Sequence, residues 1–265
     1  MIRFLLIALL LILFLVFSIP LLVFEAVLGR YAPDSQKRQS VAVVRFMFRL
    51  LLKISGTKVT VEGRENIPED QAVLYVGNHR SYFDILIGYS TTPGLLGFVA
   101  KKEMLRYPLL KNWMEHVQCL FLDRDDIKEG LKTILTGIEK VKSGISIWIF
   151  PEGTRNENEE FTDLLPFKEG SLKIAEKAGC PVIPVAMVGN ADIFENHIPF
   201  IRPKRVRIRY GQPIYLKELP KEVKKKSGSY VRDVIIGMLN EMVSEEGTEN
   251  EESGFTGNQG PVGSN

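Results

Sequence analysis

The chain has 265 residues, of which 45% are hydrophobic and 25% are charged, and its formal net charge is +2. This length favours one large domain with small appendages, and a nearly neutral charge gives no support for a nucleic-acid partner. Two cysteines, Cys119 and Cys180, are too few for a disulfide framework, so we expect buried free thiols.

The first element is an apolar segment that carries no charged residue between positions 4 and 24. Its length suits a helix that crosses or deeply enters a bilayer, and Pro20 permits a kink, so both arrangements fit. It is too long for the core of a signal peptide, and we expect an uncleaved anchor. By the positive-inside rule, the basic residues that follow place the rest of the chain in the cytoplasm. They are Arg30, Lys37, Arg38, Arg45, Arg49 and Lys53.

A second membrane signal lies at positions 41–54. Arg45, Arg49 and Lys53 recur every four residues and form one basic stripe on an otherwise apolar helix. We expect this helix to lie in the membrane interface with its stripe near anionic headgroups. The alternative is a core helix whose stripe faces solvent. Residues 1–56 are thus predicted to be a membrane anchor followed by a basic amphipathic helix.

From position 58 onward, short apolar runs alternate with amphipathic segments. This alternation predicts an α/β domain over residues 57–244, with a largely parallel mixed sheet flanked by helices. Residues 245–265 are acidic and then rich in Gly and Asn, which predicts a disordered tail. The strand candidates are residues 58–62, 72–76, 97–100, 118–122, 145–150, 182–187 and 205–210.

The most informative stretch is residues 78–84, Asn-His-Arg-Ser-Tyr-Phe-Asp, which joins a buried strand to a helix. If His79 lies on the loop and Asp84 in the first helical turn, the carboxylate can fix the imidazole tautomer of a general base. Ser81 and Asp84 also match a capping box, in which they would only satisfy backbone N–H groups. On this stretch alone, both interpretations stay open.

Three further strands deliver a basic residue where they end. Lys101 and Lys102 follow one strand, Arg124 follows another, and Arg155 closes a Pro-Glu-Gly-Thr-Arg turn after a third. Ligands bind at the carboxyl ends of parallel strands, so this arrangement favours an anion such as a phosphate. The alternative for the turn is an internal pair of Arg155 with Glu152. The sequence has no serine elbow, no glycine-rich phosphate loop and no pair of residues at metal-ligand spacing.

Taken together, four ordered motifs resemble those of the glycerolipid acyltransferases, and within that family the bacterial members that act on 1-acyl-sn-glycerol 3-phosphate. The resemblance covers about residues 40–215. A His-x4-Asp motif followed by Phe-Pro-Glu-Gly-Thr-Arg, in this order and at this distance, is highly specific. The motifs are residues 78–84, 121–124 (Phe-Leu-Asp-Arg), 150–155 and 181–184 (Pro-Val-Ile-Pro), and the likeness extends to residues 98–103 and 167–170.

The resemblance implies a reaction and a role for each motif residue. His79, oriented by Asp84, would take the proton from the acceptor hydroxyl, which would attack the thioester of acyl-CoA or acyl carrier protein directly. The product would be phosphatidic acid, and no metal or cofactor is implied beyond the donor. The residues implied to bind the acceptor phosphate are Lys101 (favoured over Lys102), Arg124 and Arg155. Those implied to shape the acceptor pocket are Glu152, Gly153 and Thr154. Asn78 and Ser81 would support the turn.

The resemblance also implies a setting and leaves several points open. Because acceptor and product keep acyl chains in the bilayer, the site should lie at the membrane surface, with lipids and the acyl donor as partners. Another lysolipid acceptor, or a membrane-tethered lipid-binding protein, are the rival interpretations. A backbone N–H of residues 78–81 is a candidate for stabilising the oxyanion. Gln118 stands where the family often has Gly, and Cys180 replaces a more usual aliphatic residue.

Overall fold

The computed structural model describes residues 1–256, except for the side chains of residue 169 and of residues 246–256. Within this range, seven strands form one sheet: β1 (Lys58–Glu62), β2 (Leu74–Gly77), β3 (Leu95–Lys101), β4 (Leu120–Leu122), β5 (Ile145–Ile149), β6 (Val182–Val188) and β7 (Arg205–Tyr210). Their order is β1-β7-β6-β2-β5-β3-β4, and every neighbouring pair is parallel except β6 and β7. The predicted largely parallel mixed sheet is confirmed.

Helices cover both faces of this sheet. Side chains alternate along each strand, so Tyr75 of β2 joins the core on one face while Leu74 and Val76 join the core on the other. The first face is packed by α1 to α5 and the second by α6, α7 and α9. The helices are α1 (Ile2–Phe17), α2 (Ile19–Tyr31), α3 (Pro33–Ser55), α4 (Phe83–Thr91), α5 (Pro108–His116), α6 (Ile127–Lys142), α7 (Lys173–Ala178), α8 (Lys221–Lys225) and α9 (Ser227–Thr256).

All seven predicted strands are present, with ends shifted by a few residues. The starts of β2, β3 and β4 each shift by two residues, and β4 begins at Leu120 and not at Gln118. Gln118 has φ +66°, a left-handed conformation that an extended strand cannot contain. The two cysteines are free and buried, as predicted.

The apolar N-terminal segment forms two helices. They meet at Ser18 with a bend of 51°, and Pro20 lies in the first turn of α2, where its missing N–H costs little. No single helix in the described part of the chain is long and apolar enough to cross a membrane, whereas the bent pair qualifies by length and composition. Much of its apolar surface faces outward: Ile2, Leu5, Leu9, Ile12, Phe17 and Val23 are all exposed.

Helix α3 is part of the protein core, which differs from the predicted interfacial helix. Val41, Val44, Met47 and Leu51 are buried in the same cluster as the side chains of α4. The four positions follow helical spacing and make one continuous face against the domain. Residues 1–56 are therefore packed onto the α/β domain.

Two basic residues of the α3 stripe bind the end of α4. The guanidinium of Arg45 donates to the carbonyl oxygens of Tyr89 at 2.9 Å and Gly94 at 2.6 Å, and Arg49 donates to that of Ser90 at 3.1 Å. A helix leaves its last carbonyls without internal partners, and cations there also meet the negative end of its dipole. These arginines thus bind α4 and the loop after it, and their role at lipid headgroups stays a prediction.

Helix α9 continues past residue 244, where the domain was predicted to end. The carboxylate of Glu245 accepts a hydrogen bond from Arg209 at 2.6 Å and also pairs with Arg207, and both arginines bind Glu62. Helix α9 and its ion pairs thus extend beyond position 244. Residues 257–265, which complete the predicted tail, lie outside the described residues.

Candidate active site

The predicted site residues gather at one edge of the sheet, where β2, β3, β4 and β5 end. Residues 78–84 follow β2, Lys101 ends β3, Arg124 follows β4, and residues 152–155 follow β5. Lys101 is paired in register with Leu122, which places it beside the loop that carries Arg124. Because these strands are parallel, their carboxyl ends share this edge.

His79 and Asp84 are in direct contact. The distance from His79 Nδ1 to Asp84 Oδ2 is 2.9 Å; the Asp84 side chain is fully buried and that of His79 is 16% exposed. A carboxylate only accepts hydrogen bonds, so it selects the tautomer with hydrogen on Nδ1 and leaves Nε2 as the basic nitrogen. Nε2 has no protein partner among the described residues. This is the geometry of a general base with an orienting partner.

Asp84 also binds backbone N–H groups before the helix, so the contacts expected from both interpretations are present. Its Oδ2 accepts from the backbone N–H groups of Arg80 and Ser81, each at 2.9 Å, and its Oδ1 accepts from Asn190 at 2.5 Å. Ser81 Oγ accepts from the N–H of Phe83, the first residue of α4. Four donors therefore fix this carboxylate.

The backbone and ring of His79 are held from the neighbouring β5 loop. Its N–H donates to Glu152 Oε1 at 2.9 Å, and its carbonyl accepts from Asn156 at 2.7 Å. The imidazole stacks on Phe150 with ring centroids 4.0 Å apart. Glu152 Oε2 accepts from the N–H of Leu165, so both its oxygens bind backbone. Burial raises the pKa of the Glu152 carboxyl, although these N–H groups favour its charged form.

The N–H groups of the His79 turn are already used. The N–H of His79 donates to Glu152, and those of Arg80 and Ser81 donate to Asp84. An oxyanion needs donors that are free to point at it. The predicted oxyanion donor within residues 78–81 therefore disagrees with this arrangement for these three groups.

Arg155 pairs with a residue that the sequence did not single out. Its Nη1 lies 3.3 Å from Glu195 Oε1, and its guanidinium lies 3.9 Å from the centroid of the Tyr82 ring. The same Glu195 oxygen accepts from the N–H of Tyr82 at 2.8 Å, which links the His79 loop to the β5 loop. The alternative pair of Arg155 with Glu152 is not formed.

The other basic candidates differ in how they are engaged. Lys102 Nζ lies 2.7 Å from Asp123 Oδ2, in an ion pair at the surface. Lys101 and Arg124 are exposed and have no carboxylate partner among the described residues. Lys101 and Arg124 are thus free to meet a ligand, whereas Lys102 is already paired.

The remaining predicted residues shape the backbone. The Asn78 side chain donates to the carbonyl of Met187 at 3.0 Å and accepts from its N–H at 2.9 Å, which prolongs the pairing of β2 with β6. Gly153 has φ +79°, a conformation that glycine adopts without strain. Thr154 beside it is exposed. Asn78 is therefore a buried brace, as expected for a supporting residue.

Several residues of the site escaped the sequence analysis. Asn190 follows β6 as His79 follows β2, and this position at a strand end is the signal that marks it in the sequence. Asn156 lies directly after the motif that ends at Arg155. Glu195 lies in a 3-10 turn with no pattern that marks it. Tertiary contact alone identifies Glu195.

The chain is similar to known acyltransferases in sequence and in structure. The model of the Acyltransferase family matches residues 58–188. A 1-acyl-sn-glycerol-3-phosphate acyltransferase of Borreliella burgdorferi is 32% identical over 76% of this chain and 80% of its own length, and one of Saccharomyces cerevisiae is 30% identical over 75% and 65%. The crystal structure of the 1-acyl-sn-glycerophosphate (LPA) acyltransferase PlsC from Thermotoga maritima superposes with a TM-score of 0.76 and 26% identity, covering 91% of this chain and 95% of that one.

The fold is that of an α/β enzyme, and the His79–Asp84 pair has the geometry of a general base with its orienting partner. With these relatives beside that geometry, the chain belongs to the acyltransferase family.

Proposed function

We propose that the protein transfers an acyl chain from a thioester to the sn-2 hydroxyl of 1-acyl-sn-glycerol 3-phosphate, which yields phosphatidic acid. The observation that carries this proposal is the 2.9 Å contact of His79 with a fully buried Asp84, at an edge of the sheet that also carries unpaired cations. The reaction named for the bacterial and yeast relatives supports the same acceptor.

His79 acts as the base. Its Nε2 takes the proton from the acceptor hydroxyl while the oxygen attacks the thioester carbonyl carbon. The tetrahedral intermediate then collapses, the carbon–sulfur bond breaks, and the imidazolium returns the proton to the leaving thiolate. Asp84 stabilises the imidazolium, and such a base contributes about 10²–10⁴-fold to the rate. A thioester is already activated, so no cofactor beyond the donor is required, be it acyl-CoA or acyl carrier protein.

The acceptor phosphate meets the cations of the strand ends, Lys101, Arg124 and Arg155. A guanidinium binds phosphate oxygens bidentately and stays charged at every physiological pH. Glu195 and Tyr82 keep the Arg155 side chain at this edge. Glu152 acts through His79, because both of its oxygens bind backbone N–H groups. Gly153 and Thr154 form the loop surface that faces the acceptor.

The protein works at a membrane with its catalytic domain on the cytoplasmic side. The exposed apolar side chains of α1 and α2 offer a surface for lipid, and the basic residues that follow them match the cytoplasmic leaflet by the positive-inside rule. The lysolipid acceptor keeps its acyl chain in that leaflet, so its hydroxyl can reach His79 without leaving the bilayer.

The test is acyl transfer by the full-length protein in lipid vesicles. Labelled acyl-CoA and acyl carrier protein thioesters are offered with lysolipids of different head groups, and the products are identified. We expect phosphatidic acid above all other products, and a loss of about 10²-fold or more in the His79→Ala variant with folding retained. Preference for a larger head group would reassign the acceptor, and no transfer from folded protein would favour a lipid-binding role.

A further inference from the structure

Lys168 lies over the glycine of the β5 loop. Its Nζ is 3.3 Å from the position that a Cβ on Gly153 would occupy, and Arg124 Cζ is 3.8 Å from the same position. The turn that carries Lys168 is fixed: its N–H donates to the carbonyl of Pro151 at 3.2 Å, and the preceding Phe167 is buried. A lysine from one loop and an arginine from another thus converge on one point.

Neither cation is neutralised. Lys168 and Arg124 are exposed, and neither has a carboxylate partner among the described side chains. Two like charges on neighbouring side chains repel each other, and an anion between them removes that cost. Lys102, a lysine of the same edge, is instead held by Asp123 at 2.7 Å. Two cations without a carboxylate partner, close to a lysine that has one, are typical of an anion-binding site.

We propose that Lys168 binds the acceptor phosphate together with Arg124, above Gly153. This inference rests on the proposed function and adds a specificity-determining residue to its acceptor site. Gly153 is required there for two reasons. Its φ of +79° disfavours other residues, and a Cβ would lie 3.2 Å from Lys168 Cε and push the lysine away from the phosphate.

The test is the Lys168→Met variant, which keeps the length of the side chain and removes its charge. We expect the KM for 1-acyl-sn-glycerol 3-phosphate to rise about tenfold to a hundredfold, as for the loss of one charged hydrogen bond, with kcat little changed. The KM for the acyl donor should stay constant, and Lys168→Arg should restore acceptor binding. Lys142→Met, at an exposed lysine that ends α6, is the matched control and should behave as the wild type.

A double-mutant cycle with Arg124→Met sharpens the test. If both cations bind one phosphate, the acceptor KM of the double variant should rise by a factor that differs from the product of the two single effects. Competitive inhibition by glycerol 3-phosphate should weaken in parallel, which separates phosphate binding from contacts with the acyl chain.

The outcomes separate this inference from the function on which it rests. The role of Lys168 would be overturned if folded Lys168→Met kept an unchanged acceptor KM, or if its donor KM rose and its acceptor KM did not. The proposed function would still hold in that case, provided that the wild-type protein acylates 1-acyl-sn-glycerol 3-phosphate. If the wild-type protein did not acylate phosphate-bearing lysolipids, both the role of Lys168 and the proposed function would be overturned.

Discussion

Asp84 binds two backbone N–H groups as well as His79, so the proposed catalytic pair is also part of the structure of its loop. We predict that Asp84→Asn lowers kcat by about 10²-fold or more, since an amide can donate to Nδ1 and select the wrong tautomer. Thermal stability should fall as well. Steady-state kinetics and thermal unfolding of the purified protein measure the two effects.

The matched control for Asp84→Asn is Asp126→Ala. Asp126 caps α6 by accepting from the N–H groups of Lys128 and Glu129, and it has no contact with His79. We expect this variant to lose about 1 kcal/mol of stability, as for the removal of any helix cap, and to keep its kcat. Equal kcat in the two variants would mean that Asp84 is only a cap.

Glu152 makes the stability of the protein depend on pH in a defined direction. Burial raises the pKa of its carboxyl above the ordinary value of 4.5, so the folded protein binds this proton more tightly than the unfolded chain does. The free energy of unfolding should therefore fall as pH rises from 4.5 toward the raised value. We predict that Glu152→Gln flattens this part of the curve, as measured by denaturant unfolding at a series of pH values.

Other carboxylates titrate in the same range, so the informative quantity is the difference between the two proteins. Glu152→Gln removes one titrating group and leaves the rest in place. Parallel curves for the two proteins would contradict a raised pKa at this position. The variant should also lose activity, because its amide cannot accept from both His79 and Leu165.

Helix α3 offers a test of whether its basic stripe serves the protein or the lipid. We predict that Arg45→Met lowers the free energy of unfolding by about 1–3 kcal/mol, because two hydrogen bonds from a charged donor to α4 and its following loop are lost. Unfolding is measured in detergent, where no anionic headgroups are present. Lys53→Met, on the exposed side of the same helix, should change stability by less than about 0.5 kcal/mol.

Unchanged stability of Arg45→Met, together with weaker binding to anionic vesicles, would restore the interfacial role that the sequence indicated. That role was inferred from four-residue spacing alone. A basic stripe has the same spacing whether its partner is a headgroup phosphate or the carbonyls of Tyr89 and Ser90. The partner lies about 40 residues further along the chain, so no local pattern contains it.

The strands were predictable because their signal is local. Strands β2, β5 and β6 are short, almost entirely buried apolar runs, whereas β1 and β7 alternate polar and apolar residues, and either pattern lies within one segment. Gln118 shows the limit of this signal, since its φ of +66° shortens β4. The chain also passes so close to β3 here that a Cβ on Gly97 would lie 2.2 Å from the Gln118 carbonyl oxygen. Such close approach is set by the packing of two segments and is invisible in either one.

The contact between the two proposed catalytic residues was predictable for a different reason. His79 and Asp84 lie on one short loop, so their contact follows from the chain itself. Glu195 and Lys168 reach the site from separate loops, and only the assembled sheet brings them beside Arg155 and Arg124. The sequence therefore predicted the contact of His79 with Asp84. It did not predict which residues of other loops lie beside Arg155 and Arg124.

The N-terminal helices are joined to the domain by buried polar contacts. The carboxylate of Glu25 in α2 is fully buried and accepts from Ser40 Oγ at 2.9 Å. Gln36 Nε2 lies 2.8 Å from that hydroxyl and 2.9 Å from Nδ1 of His116 in α5. The other carboxylate oxygen, Glu25 Oε1, has no hydrogen-bond partner among the described residues, and the bonds that are made connect α2, α3 and α5 in one arrangement. The surface proposed to meet lipid is thus held in a set orientation relative to the catalytic edge.

That orientation makes the exposed face of α1 the first place to test membrane attachment. Leu9 of α1 is 53% exposed and Leu135 of α6, on the opposite face of the sheet, is 52% exposed. We predict that Leu9→Lys weakens vesicle binding about tenfold or more, because a leucine buried in lipid contributes about 1.5–3 kcal/mol and a lysine opposes insertion. Leu135→Lys should bind as the wild type does.

Vesicle co-sedimentation measures this binding, and activity on a short-chain, water-soluble acceptor shows whether His79 still works. If α1 serves attachment alone, Leu9→Lys should keep that soluble activity while losing transfer to acceptor in the bilayer. Weaker binding by Leu135→Lys alone would place the lipid on the α6 face. In that case the bent pair α1–α2 would serve only to pack the domain, since the two faces lie on opposite sides of one sheet.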